Sequence, residues 1–408
     1  MRTDPIRVGS MVPLTGTSAS DGREFQNGLT MAANEINARG GIIGRQIEPV
    51  FIDTGSQTAE AVVRAARTLI STHRVSAIIN GYNIGPQNSE YEPIADAGII
   101  YIHNNTLLQH HDTVASDPDR YFGCFMGDPA EYWDGQGFIK FISWLRDTGK
   151  WRPSNRRIAV ISGPKPYSIV IANAMNTCAQ QFGWVSAFPP MILRSLKTDW
   201  ADLLEEVRRY DPAVLAFTHF HAGDLAKFHL QFMQRPLPVL LYLQYGALHR
   251  SFSEIVGNQG RGAIVGTVIG LLRDELGRRF TESYKAQFGQ HSPPEVGCQP
   301  YVALHHYALA AAVAGGVGDP GDFAMNRRIA DALLQLPYRS VAGTIRYHPK
   351  RQAAVPYPDA TSDPSMGLPH LFYQLHDPED PPALIAPEPF TDAAFELPPW
   401  LAEADTKV

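Results

Sequence analysis

From its first residues the chain alternates short apolar runs with amphipathic stretches. Residues 6–12 (IRVGSMV) make an apolar run of strand length. Residues 22–38 carry Phe25, Leu29, Ala32, Ala33 and Ile36 on one helical face, and Gly40-Gly41 stops that helix. The same alternation predicts strands at 47–52, 75–79 and 99–102, with helices at 58–71 and 86–97. Strand–helix–strand repeats of this length require right-handed crossovers, so they build a parallel sheet covered on both faces.

The pattern then starts again. Residues 132–145 read as a helix and 157–161 as a new first strand. Strands at 191–193, 213–217 and 238–243 alternate with helices at 167–182, 199–209 and 223–234, and Asp199 stands as a cap. Beyond Gly262 the reading is less regular: a strand at 263–268, then helices at about 275–288, 298–314 and 322–335. The proline- and acid-rich tail has apolar anchors at Leu371-Phe372-Tyr373 and Leu384-Ile385, which predicts short strands and ordered wrapping rather than a third core. The fold class read from this pattern is α/β, with two doubly wound parallel-sheet units in tandem over 6–120 and 155–250.

Composition narrows the function. The chain has 408 residues, too many for one core at roughly 150 residues per domain. Apolar residues make up 44% and charged residues 19%, the balance of an ordinary soluble globular protein. A net charge of −6 argues against nucleic acid, which demands clustered Lys and Arg. No apolar run reaches the roughly 18 residues that a membrane span needs, so direct membrane insertion is not expected. The N-terminus enters a strand directly. That start fits either a cytoplasmic chain or a secreted one whose signal has been removed. Cys124, Cys178 and Cys298 have no metal-like spacing and read as buried thiols.

Motifs for chemistry are missing. The first strand–helix turn, VPLTGTSASDG, has neither the three-glycine dinucleotide pattern nor a phosphate loop, and GGIIG at 40–44 follows a helix. There is no Gly-x-Ser-x-Gly elbow. His305 and His306 would point about 100° apart on a helix. His219 and His221 could face one side, which leaves a metal-assisted hydrolase as a remote alternative, but no third ligand is apparent. No catalytic residue, cofactor or metal is therefore expected.

What remains is a set of predicted strand ends rich in aromatic and hydrogen-bonding groups. Tyr82-Asn83 follows the third strand and His103-Asn104-Asn105-Thr106 the fourth. In the second unit Tyr167, His219-Phe220-His221 and Gln244-Tyr245 hold the equivalent places. In an open parallel sheet these carboxyl ends share one edge, where α/β proteins bind ligands. If the two edges face each other, the residues enclose one small ligand.

The opening stretch VGSMVPLTGTSASDGREFQNGLTMAANEINARGGIIGRQIEPVFIDTGS resembles that of type I periplasmic solute-binding proteins serving branched-chain amino acids. The first strand ends in Pro-Leu-Thr-Gly, the first helix ends in Ile-Asn-Ala-Arg-Gly-Gly-Ile-x-Gly, and Asp53 follows the second strand. ADAGIIYI, KTDWADLLEEVR and Ile255-Val256-Gly257 also fit. The resemblance covers roughly 6–345, and the long tail is more like the amide- and urea-binding branch. It implies a Venus-flytrap of two lobes joined by three hinge crossovers, lobe 1 from 1–124 with 253–338 and lobe 2 from 125–252 with 339–408. It also implies an ABC-transporter permease as partner.

In the amino-acid binders, the loops after the third and fourth strands hold the ligand's carboxylate. The resemblance places Tyr82, Asn83 and Ile84, with His103, Asn104 and Thr106, in those loops. Thr106 matches a family hydroxyl, whereas Ile84 stands where a serine is usual and departs from a standard carboxylate clamp. Tyr167 matches the family tyrosine of lobe 2, and the next aromatic falls at Phe220 or His221. The acidic residue that holds an α-ammonium falls at Gln244 or Tyr245, where no charge stands. Ser18 is carried over on the first loop. The implied site is aromatic and neutral. It suits an amide, a urea-like compound, an aromatic acid or a modified amino acid, and histidine would make binding pH-dependent near neutrality. The reading is a periplasmic capture protein for an ABC importer, with a cytoplasmic amide-sensing regulator on the same fold as the alternative.

Overall fold

The structure, a computed structural model, describes residues 4–83, 88–195 and 199–405. The chain opens with β1 (Ile6–Val12), α1 (Ala19–Ala38), β2 (Ile47–Asp53), α2 (Ala59–Ser71), β3 (Ala77–Ile79), α3 (Tyr91–Ala97), β4 (Ile100–His103), α4 (Gln109–Ser116) and β5 (Cys124–Met126). These strands form one sheet in the order β2-β1-β3-β4-β5, every pairing parallel. β3, β4 and β5 are buried throughout, as parallel strands between helices must be, and β1 at all but Arg7, whereas the edge strand β2 is fully buried only at Ile47.

The second run comprises α5 (Tyr132–Asp147), β6 (Arg157–Ser162), α6 (Pro166–Ala179), β7 (Val185–Ser186), β8 (Met191–Ile192), α7 (Ala201–Arg209), β9 (Val214–Thr218), α8 (Ala222–Gln234), β10 (Leu240–Gln244), α9 (Arg250–Val256) and β11 (Ile264–Thr267). Next come α10 (Glu275–Phe288), α11 (Pro294–Ala314), α12 (Phe323–Gln335), β12 (Tyr338–Ser340), β13 (Gly343–Ile345), β14 (Pro356–Tyr357) and β15 (Leu368–Pro369). The tail supplies β16 (Leu371–Gln374), β17 (Ala383–Ala386) and α13 (Pro399–Asp405). The second sheet runs β17-β16-β11-β10-β9-β6-β7, with β8 also on β6. Its body is parallel, and the tail strands close one side antiparallel.

Two compact units result: Met1–Ala130 with Ile269–Pro369, and Glu131–Val268 with His370–Val408. The chain therefore passes between units three times. The borders differ from the sequence expectation at three places, each for a pairing reason. β5 pairs with β4, which keeps 125–130 in the first unit. β11 pairs with β10, which keeps 253–268 in the second. Residues 339–369 belong to the first unit, where the Gln352 amide donates to the carbonyls of Tyr121, Phe122 and Cys124.

Local chemistry accounts for the element starts. Thr58 accepts the Ala61 N–H at 3.3 Å, Asp274 the Gly277 N–H at 3.0 Å and Asp322 the Met325 N–H at 3.2 Å. Asp199 takes the Ala201 N–H at 3.0 Å, just ahead of α7. Asp53 gathers the first loop, accepting from the N–H groups of Leu14 (2.9 Å), Thr15 (3.3 Å) and Gly55 (2.8 Å) and from the Thr15 hydroxyl (2.8 Å). Although desolvation pushes its carboxyl up, these bonds hold it below its ordinary range. Among the described residues no helix is long and apolar enough to cross a membrane.

The core of the first unit depends on α1 lying directly against α11. A Cβ on Gly28 would stand 1.9 Å from the Gly297 carbonyl oxygen, so only glycine lets the two backbones approach. Gly28→Ala must part the helices. It should destabilise the protein by about 2–3 kcal/mol, read as a lower urea midpoint, whereas Gly223→Ala, a position with open space around its Cα, should not.

Candidate functional site

In the first unit the site is built on the carboxyl ends of β3 and β4. The parallel ladder continues past both strands: the Asn80 N–H donates to the Ile102 carbonyl at 2.8 Å and the Asn104 N–H to the Gly81 carbonyl at 3.0 Å. The two loops therefore run side by side. The Asn83 N–H donates to the Asn105 side-chain oxygen at 2.7 Å, locking them together. Tyr82 is half-buried. Its hydroxyl meets the Asp21 carboxylate, and its ring stands edge-on to Phe25 with centroids 5.1 Å apart. Asp21 lies in the first turn of α1, so Ser18, at the start of that helix with no capping bond of its own, belongs to the same neighbourhood. Thr106 has φ +56°, a left-handed conformation that a β-branched residue rarely adopts, and its hydroxyl donates to the Asn105 carbonyl at 2.8 Å. Ile84 lies outside the described residues.

His103 departs from its expected role. It is fully buried, with its ring 4.8 Å from Tyr101 and 5.6 Å from Tyr91. The Asn105 N–H can only donate, so His103 Nδ1 accepts it at 3.1 Å and the ring proton sits on Nε2, facing the Tyr91 hydroxyl. The Arg351 carbonyl can only accept, so His110 donates to it from Nε2 at 2.7 Å. His110 Nδ1 then accepts the Tyr91 hydroxyl at 2.6 Å. Every direction in this relay is consistent with two neutral imidazoles. Burial, reinforced by the His110 charge, pushes His103 well below the ordinary histidine range, and burial with His111 pushes His110 down to about 3. The expected pH dependence near neutrality cannot come from His103.

Glu90 is the titrating group of this layer. It is buried, and its Oε1 accepts the Tyr101 hydroxyl at 3.0 Å. Burial raises its carboxyl to about 7 against the pull of its own backbone N–H, the Tyr101 hydroxyl and the Asn105 amide.

In the second unit, Tyr167 opens α6 and stands edge-on to Phe220, centroids 6.2 Å apart. Phe220 is 4.4 Å from the ring of His221, which is exposed at the start of α8. His219 is buried. Its Nε2 donates to Asp224 at 3.1 Å, leaving Nδ1 an acceptor without a partner among the described residues. Burial holds this imidazole below its usual range, against Asp224. A Cβ on Gly163 would come within 2.5 Å of that Nδ1, so glycine is what admits the ring. His219 and His221 rings lie 5.3 Å apart, yet among the described residues no three His, Cys, Asp or Glu side chains could hold a metal ion. Gln244 is buried. Its oxygen accepts the Tyr242 hydroxyl at 2.9 Å, and its Nε2 has no partner among the described residues. Tyr245 meets His249 at 3.2 Å.

The expectation of a neutral site needs correction here. The Tyr167 phenol is pushed well above its ordinary range by burial first, then by Asp134, Tyr245, Tyr242 and Glu131. Two carboxyl groups thus stand near the aromatic wall. Asp134 is buried on α5, where Phe138, one turn on, stacks on Tyr242 at 4.1 Å. Its carboxylate lies 3.8 Å from the buried His370. Sequence reasoning missed Asp21, Glu90, Tyr91, Asp134 and Glu131, and it noticed His110 only as one of a histidine pair. Only Asp21 carried a signal, since it sits in the polar first loop.

The model of the periplasmic binding protein family matches residues 5–358. A crystal structure described as a branched-chain amino acid ABC transporter from Silicibacter pomeroyi is 44% identical, with 97% of this chain and 100% of that one covered and a TM-score of 0.95. An amino acid binding protein of Pseudomonas aeruginosa is 34% identical over 346 residues, 83% of this chain and 84% of its own. A leucine-binding protein from Thermotoga maritima shares the fold at 16% identity, with 94% and 99% covered and a TM-score of 0.67. Matched over most of its length by the family model and by relatives of this identity, the chain belongs to the periplasmic binding protein family, with its type I fold of two α/β units.

Proposed function

We propose that the protein captures a small polar organic solute in the periplasm and presents it to the permease of an ABC importer, releasing it chemically unchanged. One observation carries the reading. In a chain of this family, each unit gathers aromatic and amide side chains at the carboxyl ends of its parallel strands. Tyr82, Asn83 and Asn104 to Thr106, with Ser18 nearby, form the set in the first unit, and Tyr167, Phe220, His221, Gln244 and Tyr245 form that in the second. His103 acts behind the loops rather than on the ligand.

A thermal-shift screen tests the reading. A panel of amino acids, amides, ureas and aromatic acids should contain a compound that raises the melting temperature, by mass action worth about 2.7 kcal/mol at a hundred times Kd. If nothing in the panel shifts it, the solute class is wrong. With a hit in hand, Tyr82→Ala and Tyr167→Ala should each weaken binding by at least about tenfold in calorimetry. Tyr82→Phe, which keeps the ring and loses the Asp21 contact, should weaken it less. Wild-type affinity in both alanine variants would reject these loops as the binding surface.

The buried acid and the buried bases act in opposite senses on stability. Glu90 keeps its proton in the folded state up to about pH 7 but loses it near 4.5 when unfolded, so folding is progressively disfavoured as pH rises through that window. His110 stays neutral down to about 3 while the unfolded ring protonates near 6.5, so its contribution falls as pH drops below 6.5. Glu90→Gln removes the first effect alone. The variant should therefore gain melting temperature relative to wild type at pH 8 and lose most of that gain by pH 5. A difference that stays constant across that range would show that Glu90 titrates like an exposed carboxylate.

A further inference from the structure

One end of the second unit is strongly basic. Where α5 gives way to β6, residues 146–157 carry five cations, Arg146, Lys150, Arg152, Arg156 and Arg157, against one anion, Asp147, in a chain whose net charge is −6. Buried tryptophans place these cations. Trp151 stacks on Trp184 with centroids 6.0 Å apart, and the Trp184 indole N–H donates to the Ser143 hydroxyl at 2.9 Å. The guanidinium groups of Arg146 and Arg156 both lie over the Trp184 ring, 5.4 and 5.6 Å from its centroid. The Lys150 ammonium lies 5.1 Å from the Trp144 centroid. Arg146 is bonded to Asp147 and Arg157 to Asp211. Lys150, Arg152 and Arg156 are exposed and have no acid partner among the described residues. Apolar groups adjoin them. Val185 pairs with Arg157 at the start of β7, donates its N–H to the Arg156 carbonyl at 2.8 Å and is 56% exposed. Tyr210, 42% exposed, precedes the Asp211 that Arg157 holds, and its ring meets Phe188 at 5.0 Å. Trp144 is half-buried.

We infer that this end of the second unit docks on an anionic lipid bilayer, with the cations on phosphate headgroups and Trp144, Tyr210 and Val185 in the headgroup layer. The inference stands apart from the solute-binding reading. Long basic stems that cover aromatic rings explain where the charges sit, but not why three of them go without counter-ions and repel one another. A face made only to be solvated has no use for exposed side chains as apolar as Val185 and Tyr210. Cations interleaved with Trp, Tyr and aliphatic groups are the composition of a surface that lies at a membrane interface. Charges spread over an exposed face also suit a diffuse anionic surface. The cluster stands at the amino ends of β6 and β7, since Arg157 is the first residue of β6, whereas Tyr167, Phe220 and Gln244 stand at the carboxyl ends of their strands. Docking by this end therefore leaves the carboxyl-end residues of the unit uncovered. The attachment is weak and reversible, each cation adding roughly fivefold to partitioning onto an anionic leaflet.

Cosedimentation of the full chain with vesicles tests this. Vesicles of phosphatidylglycerol and phosphatidylcholine in equal parts should bind the protein at low salt. Pure phosphatidylcholine vesicles should bind it at least about tenfold less, and ~0.5 M salt should release it from the anionic ones. Lys150→Gln with Arg152→Gln leaves both arginines on Trp184, so this variant should keep the wild-type melting temperature while binding weakens by about tenfold or more. Adding Arg156→Gln should bring the loss to about a hundredfold. Arg152→Lys with Arg156→Lys keeps the charge and should keep the binding. Arg278→Gln with Arg279→Gln, which removes two exposed cations from α10 in the first unit, should leave it unchanged. Absence of binding to the anionic vesicles at low salt would overturn the inference. So would equal binding to neutral vesicles, wild-type binding by the folded triple variant, or an equal loss in the α10 variant. Release of the protein from vesicles by millimolar glycerol phosphate would show a site for a free phosphate, and that too overturns docking on a bilayer.

Discussion

The hydrogen bond from the Asn83 backbone to the Asn105 side chain is the constraint on which the first unit's ligand edge depends. A parallel ladder ends where its strands diverge, and the backbone groups beyond must find other partners. Here the ladder overruns its strands through Asn80 and Asn104, and the Asn105 amide then bridges the loops. Asn105 is itself pinned, because its own N–H is taken by His103, whose ring is tied through Tyr91 and His110 to the Arg351 carbonyl. The ligand loops are thus referenced to a segment some 240 positions away in sequence, at the His110–Arg351 bond. Thr106 can hold its left-handed backbone because both flanks of the loop are fixed in this way.

Such a relay works only if its members are neutral. A charged imidazole behind the sheet would gain little from Glu90, the buried carboxyl of the same layer, which is itself held largely protonated below about pH 7 by burial. The layer is therefore a network of shared protons and not of ion pairs. The second unit solves a similar problem differently. There His219 is buried against a partly exposed carboxylate, Asp224, which pulls its pKa back up. The first arrangement favours fixed geometry, and the second keeps a charge close to the edge.

The sequence revealed the periodicity and with it most of the parallel strands in their succession along the chain, because each strand is a short apolar run and each main helix has one apolar stripe. The elements that escaped lacked those signals. α4, QHHDTVAS, is mostly polar on paper yet buries both histidines and Val114. β12 to β15 are two or three residues long, below what periodicity can register. The unit borders were misplaced because they follow pairings made by β5, β11 and Gln352, and pairing partners are not written in local composition. Tyr82, Asn83 and Tyr167 were legible as residues that follow strands, whereas Ile84 lies outside the described residues.

Strand parity explains why reading residue types at a strand end is not the same as reading a site. Side chains two apart in a strand share a face, so His103 follows Tyr101 behind the sheet, where α3 covers it with Tyr91. Asn104 takes the opposite parity and arrives at the edge with an oxygen unmatched among the described residues. Charge near Tyr167 was invisible for a related reason. Asp134 comes from a helix that precedes its sheet in sequence, and it is the stacking of Phe138 on Tyr242 that brings that helix turn over the strand ends. A residue four positions from a core aromatic acquires a place in the site through that packing. Its own type, read in isolation, says only that a helix begins there.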